Sequence, residues 1–266
     1  MAAVTASKLQ DDVTKVVQEI AEITKVGISF AYKAADEEFT VAAGSKILSS
    51  HQEQFKYAVG VDIDEFDHFL IGSATKAFVG TAVMKLHDQG KLDLDTPVHT
   101  YIDPILKRDH NKTMHELFGH YSRAVTVRQL VFMQSGLQNY ETKEQNDLMI
   151  QDRECYRVHD PFEALEFVAA LNQCPTGDCA WSFEPGTHTE YSSTNYVLLG
   201  YTLLSTLPEE QQIWSYLNIK ELLGFYELDG YMNVNFPNKD VLNDGCEYDL
   251  TVPGVSITRG NEYNIY

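Results

Sequence analysis

The spacing of apolar positions along the chain changes several times, and the changes mark its elements. Residues 9–24 carry an amphipathic pattern that predicts a helix. "VGISFAY" (26–32) and "EFTVAAG" (38–44) read as strands, and the polar run "KAADE" between them predicts a hairpin turn. A third short strand is predicted near "HFLIG" (68–72). From Ser73 the spacing becomes helical: Phe78, Val79, Ala82, Val83 and Leu86 recur on one face, and Gly90 supplies a stop. Further helices are predicted over 126–134, 161–173, 193–207 and 209–224. The segment 226–266 is punctuated by Gly, Pro and Asn and is predicted to be mostly irregular.

Strands come first, then a long helical block, then a loop-rich tail. That order predicts an α+β fold with a sheet begun at the N-terminus. Three regions follow: 1–72, an N-terminal helix and first strands; 73–225, a helical region; and 226–266, an incomplete return to the α/β layer. Two or three strands cannot cover so many helices. The expectation is therefore that the C-terminal strands of the sheet are missing from the chain as written. No internal repeat or low-complexity segment is present.

Composition narrows the function classes. The 266 residues are 44% hydrophobic and 22% charged, with a net charge of −19. So acidic a chain lacks the cations that neutralise nucleic-acid phosphates, so no nucleic-acid partner is expected. No apolar run approaches a membrane span, and the N-terminus lacks a signal-peptide core. The chain as written is thus expected to be soluble, and cytoplasmic by default. Cys174 and Cys179 bracket "PTGD", a turn that could close a small disulfide, but reduced thiols are the expectation for a chain that is not exported.

The chemistry starts at Ser73 and Lys76 in "FLIGSATKAFVG" (69–80). Their i, i+3 spacing puts both side chains on one helix face. One reading makes Ser73 a helix cap and Lys76 a solvated cation. Against it, a cation in the first turn opposes the helix dipole, and the surrounding residues are almost wholly apolar. Desolvation and the positive helix end disfavour the charged amine, so the pair is also what an activated serine nucleophile needs. A second group lies in "WSFEPGTHTEYSSTNYVLLGYTLL" (181–204). There Tyr191 is either a packing aromatic or a phenol that relays protons, and Ser192 or Ser193 is available as a helix cap.

Three segments resemble, in order, the serine β-lactamase and penicillin-binding-protein superfamily. They are "FLIGSATKAFVGTAVMKLHDQGKLDLDTPV" (69–98), "TVRQLVFMQSGL" (126–137) and "FEPGTHTEYSSTNYVLLG" (183–200). The resemblance implies Ser73 as acyl-accepting nucleophile, Lys76 as its activating partner and Tyr191 as a second acid/base. It implies a β-lactamase/transpeptidase-like fold: an antiparallel sheet packed with helices, plus an all-helical region. The implied activity is acyl transfer on a small-molecule or peptide substrate, as in an esterase, peptidase or amide hydrolase, with no metal and no cofactor. The other reading is a catalytically inactive relative with a structural or regulatory role.

Two departures from the family pattern stand out. Ser193 occupies the place where Tyr-x-Asn is common, and a hydroxyl lacks the simultaneous donor and acceptor reach of an amide. The family's late Lys- or His-x-Gly strand has no counterpart in place; Lys25-Val26-Gly27 matches its letters near the wrong end. An impaired catalyst is expected, with self-association or a partner covering the bare sheet edge. Other clusters carry less. His115 and His120 in "HELFGH" are five apart and fall on different helix faces, unlike a zinc-binding pair. "VDIDEFDH" (61–68) lacks the glycine and closing glutamate of a calcium loop.

Overall fold

The computed structural model describes residues 7–24, 26–44, 62–63, 68–69, 72–141, 161–175, 177–224, 251–252, 255–258 and 261–264. The acidic run 61–68 lies mostly outside them. The chain divides into two units: residues 1–71 with 246–266, and residues 72–245.

In the first unit, helix α1 (Lys8–Thr24) buries Val17 and Ala21. They pack on strand β2 (Glu38–Ala43), which pairs antiparallel with β1 (Ile28–Lys33) from Ile28↔Ala43 to Lys33↔Glu38. Val17, Phe39 and Val41 form the buried core of this unit, flanked by Val13, Ile28, Tyr32 and Ala43. The tail, expected to be irregular, contributes short strands. β4 (Thr251–Val252) pairs in parallel with β3 (His68–Phe69), and β5 (Val255–Thr258) forms an antiparallel hairpin with β6 (Asn261–Asn264).

The second unit holds the larger core. Its helices are α2 (Thr75–Asp88), α3 (His99–His110), α4 (Met114–Phe118), α5 (Val127–Val131), α6 (Pro161–Ala170), α7 (Thr194–Leu204) and α8 (Ile219–Leu223). α7 is central: α2, α3, α5 and α6 all pack on it. Leu198, Leu199, Leu203 and Leu204 are fully buried, each contributing about 1.5–3 kcal/mol. Gly200 is required there, because a Cβ would sit 2.3 Å from the Trp214 ring.

Other sequence expectations change as well. α3 and α4 were not foreseen; Pro104 lies inside α3, yet Ile102, Ile105 and Leu106 bury its inner face. The helix expected over 209–224 is broken into two 3-10 turns, 209–211 and 214–216, before α8. Its last portion starts afresh because the Asn218 side chain accepts the Glu221 N–H, at 3.1 Å, and caps a new helix. Finally, Cys174 and Cys179 are not reduced thiols but a disulfide. Five residues of separation and the turn between them bring the two Cα atoms to 6.2 Å, within bridging range.

Candidate active site

The three segments matched in sequence are fastened to one another. After α2, the chain reaches Asp95, whose carboxylate accepts two hydrogen bonds from Arg128, at 2.7 and 2.9 Å. Arg128 N–H donates to Leu94 O, and Val98 N–H to Val125 O, each at 2.8 Å. α5 opens with a capping box in which Thr126 and Gln129 each accept the other's backbone N–H. The chain then turns through Met133 and Gly136, both at positive φ.

That turn carries the loop before α7. Ser182 N–H donates to Gly136 O at 2.7 Å, Gly186 N–H to Gln134 O at 2.8 Å, and Glu190 N–H to Met133 O at 3.0 Å. Gly136 cannot be replaced easily: its φ is +84°, and a Cβ would lie 2.0 Å from Phe183 O. Inside, the buried Ser135 hydroxyl donates to Asn195 Oδ1 at 2.5 Å, tying the turn to the first turn of α7. Tyr191 is thus delivered by a loop whose backbone is hydrogen-bonded on both sides, while its own side chain stays half exposed.

Ser73 lies in a 3-10 turn, Gly72–Ala74, that runs into α2. Its hydroxyl is no helix cap. It hydrogen-bonds Tyr191 Oη at 2.7 Å and accepts from Lys76 Nζ at 3.2 Å. The Lys76 ammonium also lies over the Tyr191 ring, 4.9 Å from its centroid, and over Tyr196 at 5.7 Å. Ser73 N–H is among the donors that a helix start leaves without an intrahelical acceptor. Hydroxyl, amine and phenol, which are 118 residues apart at the extreme, therefore meet at one point.

The electrostatics single out the phenol. Burial pushes Tyr191 up, but the Lys76 ammonium, then the hydroxyls of Ser193 and Ser73, outweigh it together and hold the phenol below its ordinary range. Tyr196 is shifted the other way, first by burial and then by the charge of Tyr191. Two neighbouring phenols are thus shifted in opposite directions.

Ser193 makes no helix-cap hydrogen bond with its side chain. Its hydroxyl donates to Glu141 Oε2 at 2.8 Å and lies 3.4 Å from Tyr191 Oη, while its N–H donates to Asn139 Oδ1 at 2.9 Å. Glu141, Asn139 and Tyr196 were not foreseen as site residues. Nothing in "SGLQNYE" (135–141) marks Glu141, since its partner is 52 residues away.

The remaining candidates do other things. His115 Nδ1 contacts Gly119 O at 3.0 Å, and the His120 ring packs on Tyr121. Among the described residues, the group of three metal-type side chains is Cys174, Asp178 and Cys179, and its two sulfurs are bonded to each other. No described helix is long and apolar enough to cross a membrane.

The Beta-lactamase family model matches residues 46–204. Protein flp of Staphylococcus aureus is 30% identical over 130 residues, which is 49% of this chain and 21% of that protein. Among solved structures, the octameric penicillin-binding protein homologue from Pyrococcus abyssi is similar with a TM-score of 0.63 and 21% identity, covering 97% of this chain and 50% of that one. The D-amino acid amidase from Ochrobactrum anthropi SV3 gives 0.61 and 21%, covering 95% of this chain and 58% of that one. The chain thus spans about a fifth of the curated relative and half to three-fifths of the solved chains.

Proposed function

The chain belongs to the beta-lactamase family, and from that premise we propose that it is a serine hydrolase working by acyl transfer, with Ser73 as nucleophile, Tyr191 as its acid/base and Lys76 as the charge that holds the phenolate. The observation that carries the reading is the 2.7 Å contact between Ser73 Oγ and Tyr191 Oη, with Lys76 Nζ 3.2 Å from the same hydroxyl.

In this reading the Tyr191 oxygen takes the Ser73 proton as Oγ attacks the substrate carbonyl carbon. Charge gathers on the carbonyl oxygen, where the positive end of the α2 dipole favours it. The tetrahedral species collapses, its amine or alcohol leaves with the proton from Tyr191, and an acyl-Ser73 ester remains. A water molecule then gives a proton to Tyr191 and attacks the ester; the C–Oγ bond breaks, the carboxylic acid leaves, and Ser73 Oγ takes the proton from Tyr191. Lys76 stays beside the phenol throughout and steadies the charge on its oxygen, a role for which its position over the Tyr191 ring is suited.

An amide or ester is the proposed substrate class, in keeping with the fold shared with an amidase. Assembly into an oligomer is also proposed, on the likeness to an octameric homologue; its test is a sedimentation mass above the 30.1 kDa of one chain. The catalytic reading is tested with a fluorophosphonate probe followed by peptide mapping. The adduct is expected on Ser73, and Ser73→Ala is expected to abolish it. A folded parent protein that takes no adduct at Ser73 overturns the reading and leaves the inactive-relative alternative, which the exchange of the usual amide for Ser193 favours.

A further inference from the structure

The Ser193 hydroxyl has one hydrogen and faces two acceptors. Glu141 Oε2 is 2.8 Å away and Tyr191 Oη 3.4 Å. The carboxylate is the nearer and the stronger acceptor, so Glu141 competes with the phenol for this hydrogen. Tyr191 is faced by Lys76 from α2, by Tyr196 from α7 and by Ser73 from the preceding turn. Ser193, the remaining donor that could steady a phenolate, divides its one hydrogen between Tyr191 and Glu141. Glu141 itself is exposed, and among the described residues Ser193 is the group that hydrogen-bonds its side chain.

We propose that Glu141 is a positioning residue that competes with Tyr191 for the Ser193 hydrogen and so sets the pH at which Ser73 becomes reactive. The proposal rests on the catalytic reading above. No covalent bond changes: one hydroxyl hydrogen points either to the carboxylate or to the phenol oxygen. The Glu141 carboxylate weakens the Ser193 hydrogen bond to the phenolate and brings a negative charge near it, and both effects oppose its formation. With glutamine at position 141 that competition is weaker, and Ser193 turns more readily toward the phenolate. An amide at position 193, which carries two N–H donors, could serve both partners at once; a hydroxyl must choose.

The experiment measures the rate of fluorophosphonate adduct formation at Ser73 against pH, in the full chain. Four forms are compared: parent, Glu141→Gln, Ser193→Ala and the double variant, each first checked by circular dichroism for an unchanged fold. In Glu141→Gln the rising limb is expected at lower pH, by about half a unit or more, so that labelling below the limb is roughly threefold faster. In the Ser193→Ala background the same substitution is expected to move the limb by less than half as much, because the hydrogen that Glu141 controls is gone. A Glu141→Gln profile that superimposes on the parent overturns the proposal. So does a shift of equal size in both backgrounds, which would mean that Glu141 acts by its charge alone. A parent that is not labelled at Ser73 at any pH overturns the catalytic reading itself, and this inference with it.

Discussion

The residues around Ser73 and the residues of the 126–137 segment belong to the same site but are built on opposite rules. Ser73 is exposed, Tyr191 is half exposed, and their contacts are made by side-chain oxygens and one nitrogen. In 126–137, by contrast, Val127, Leu130 and Leu137 are buried, Ser135 is hydrogen-bonded inside, and the backbone is tied to 94–98 on one side and 180–190 on the other. In the proposed reaction the first set moves protons and meets the substrate. The second set cannot do either, and its task is to keep the Tyr191 loop in register with the Ser73 turn. A motif without chemical groups can thus be as necessary to a site as one that has them.

Breaking the framework should have the largest effect. Gly136→Ala puts a methyl group against Phe183 O in a backbone conformation that alanine disfavours. The expected cost is about 3 kcal/mol, a fall in Tm of roughly 6–12 °C by calorimetry, with slower labelling of Ser73 because the Tyr191 loop is displaced. A Gly136→Ala protein with unchanged Tm and labelling would remove the distinction between framework and chemistry.

Lys76→Met sharpens the comparison from the other side. It keeps the length and the apolar contacts of the side chain but removes the charge beside the phenol. Labelling at Ser73 is expected to fall by about 10²–10³-fold, while Tm changes little. A loss of Tm with normal labelling would place Lys76 in the framework instead.

Arg128→Ala should have the smallest effect, because the ion pair with Asp95 is exposed and solvent-screened. Its signature lies in pH dependence. The Arg128 guanidinium holds the Asp95 carboxyl below its ordinary range. A carboxyl so lowered contributes stability that is present above its unfolded value and lost as the pH falls through its folded one. The Tm of Arg128→Ala is therefore expected slightly below the parent's at neutral pH and to converge with it in acid. A gap that widens in acid would mean that the pair is not what the substitution disturbs.

How much of this was legible beforehand depended on how local each signal was. α1, the β1–β2 hairpin and α2 are marked by spacing within one element, and their positions follow from the apolar pattern. α3 was hidden by Pro104 and by its run of charged residues, and only the packed core shows why it is helical. The apolar residues of 209–224 suggested one long helix, yet Trp214 is drawn onto Gly200 and Asn218 caps a new start. In the site, the spacing of Ser73 and Lys76 suggested an amine acting on a hydroxyl. The structure adds that the phenol lies closer to that hydroxyl, at 2.7 against 3.2 Å. Glu141 was illegible because its meaning comes from Ser193, far along the chain. The disulfide was misjudged because compartment was allowed to decide what the turn geometry decides.

The central claim is that the Tyr191 oxygen activates Ser73. It is tested most directly by the second-order rate of fluorophosphonate labelling at Ser73 in Tyr191→Phe, a change that deletes one oxygen and leaves the ring under Lys76. The account predicts a fall of about 10²–10⁴-fold, with the steep rise of rate with pH lost. An unchanged rate and pH profile would contradict it, and would return the proton-accepting role to the amine.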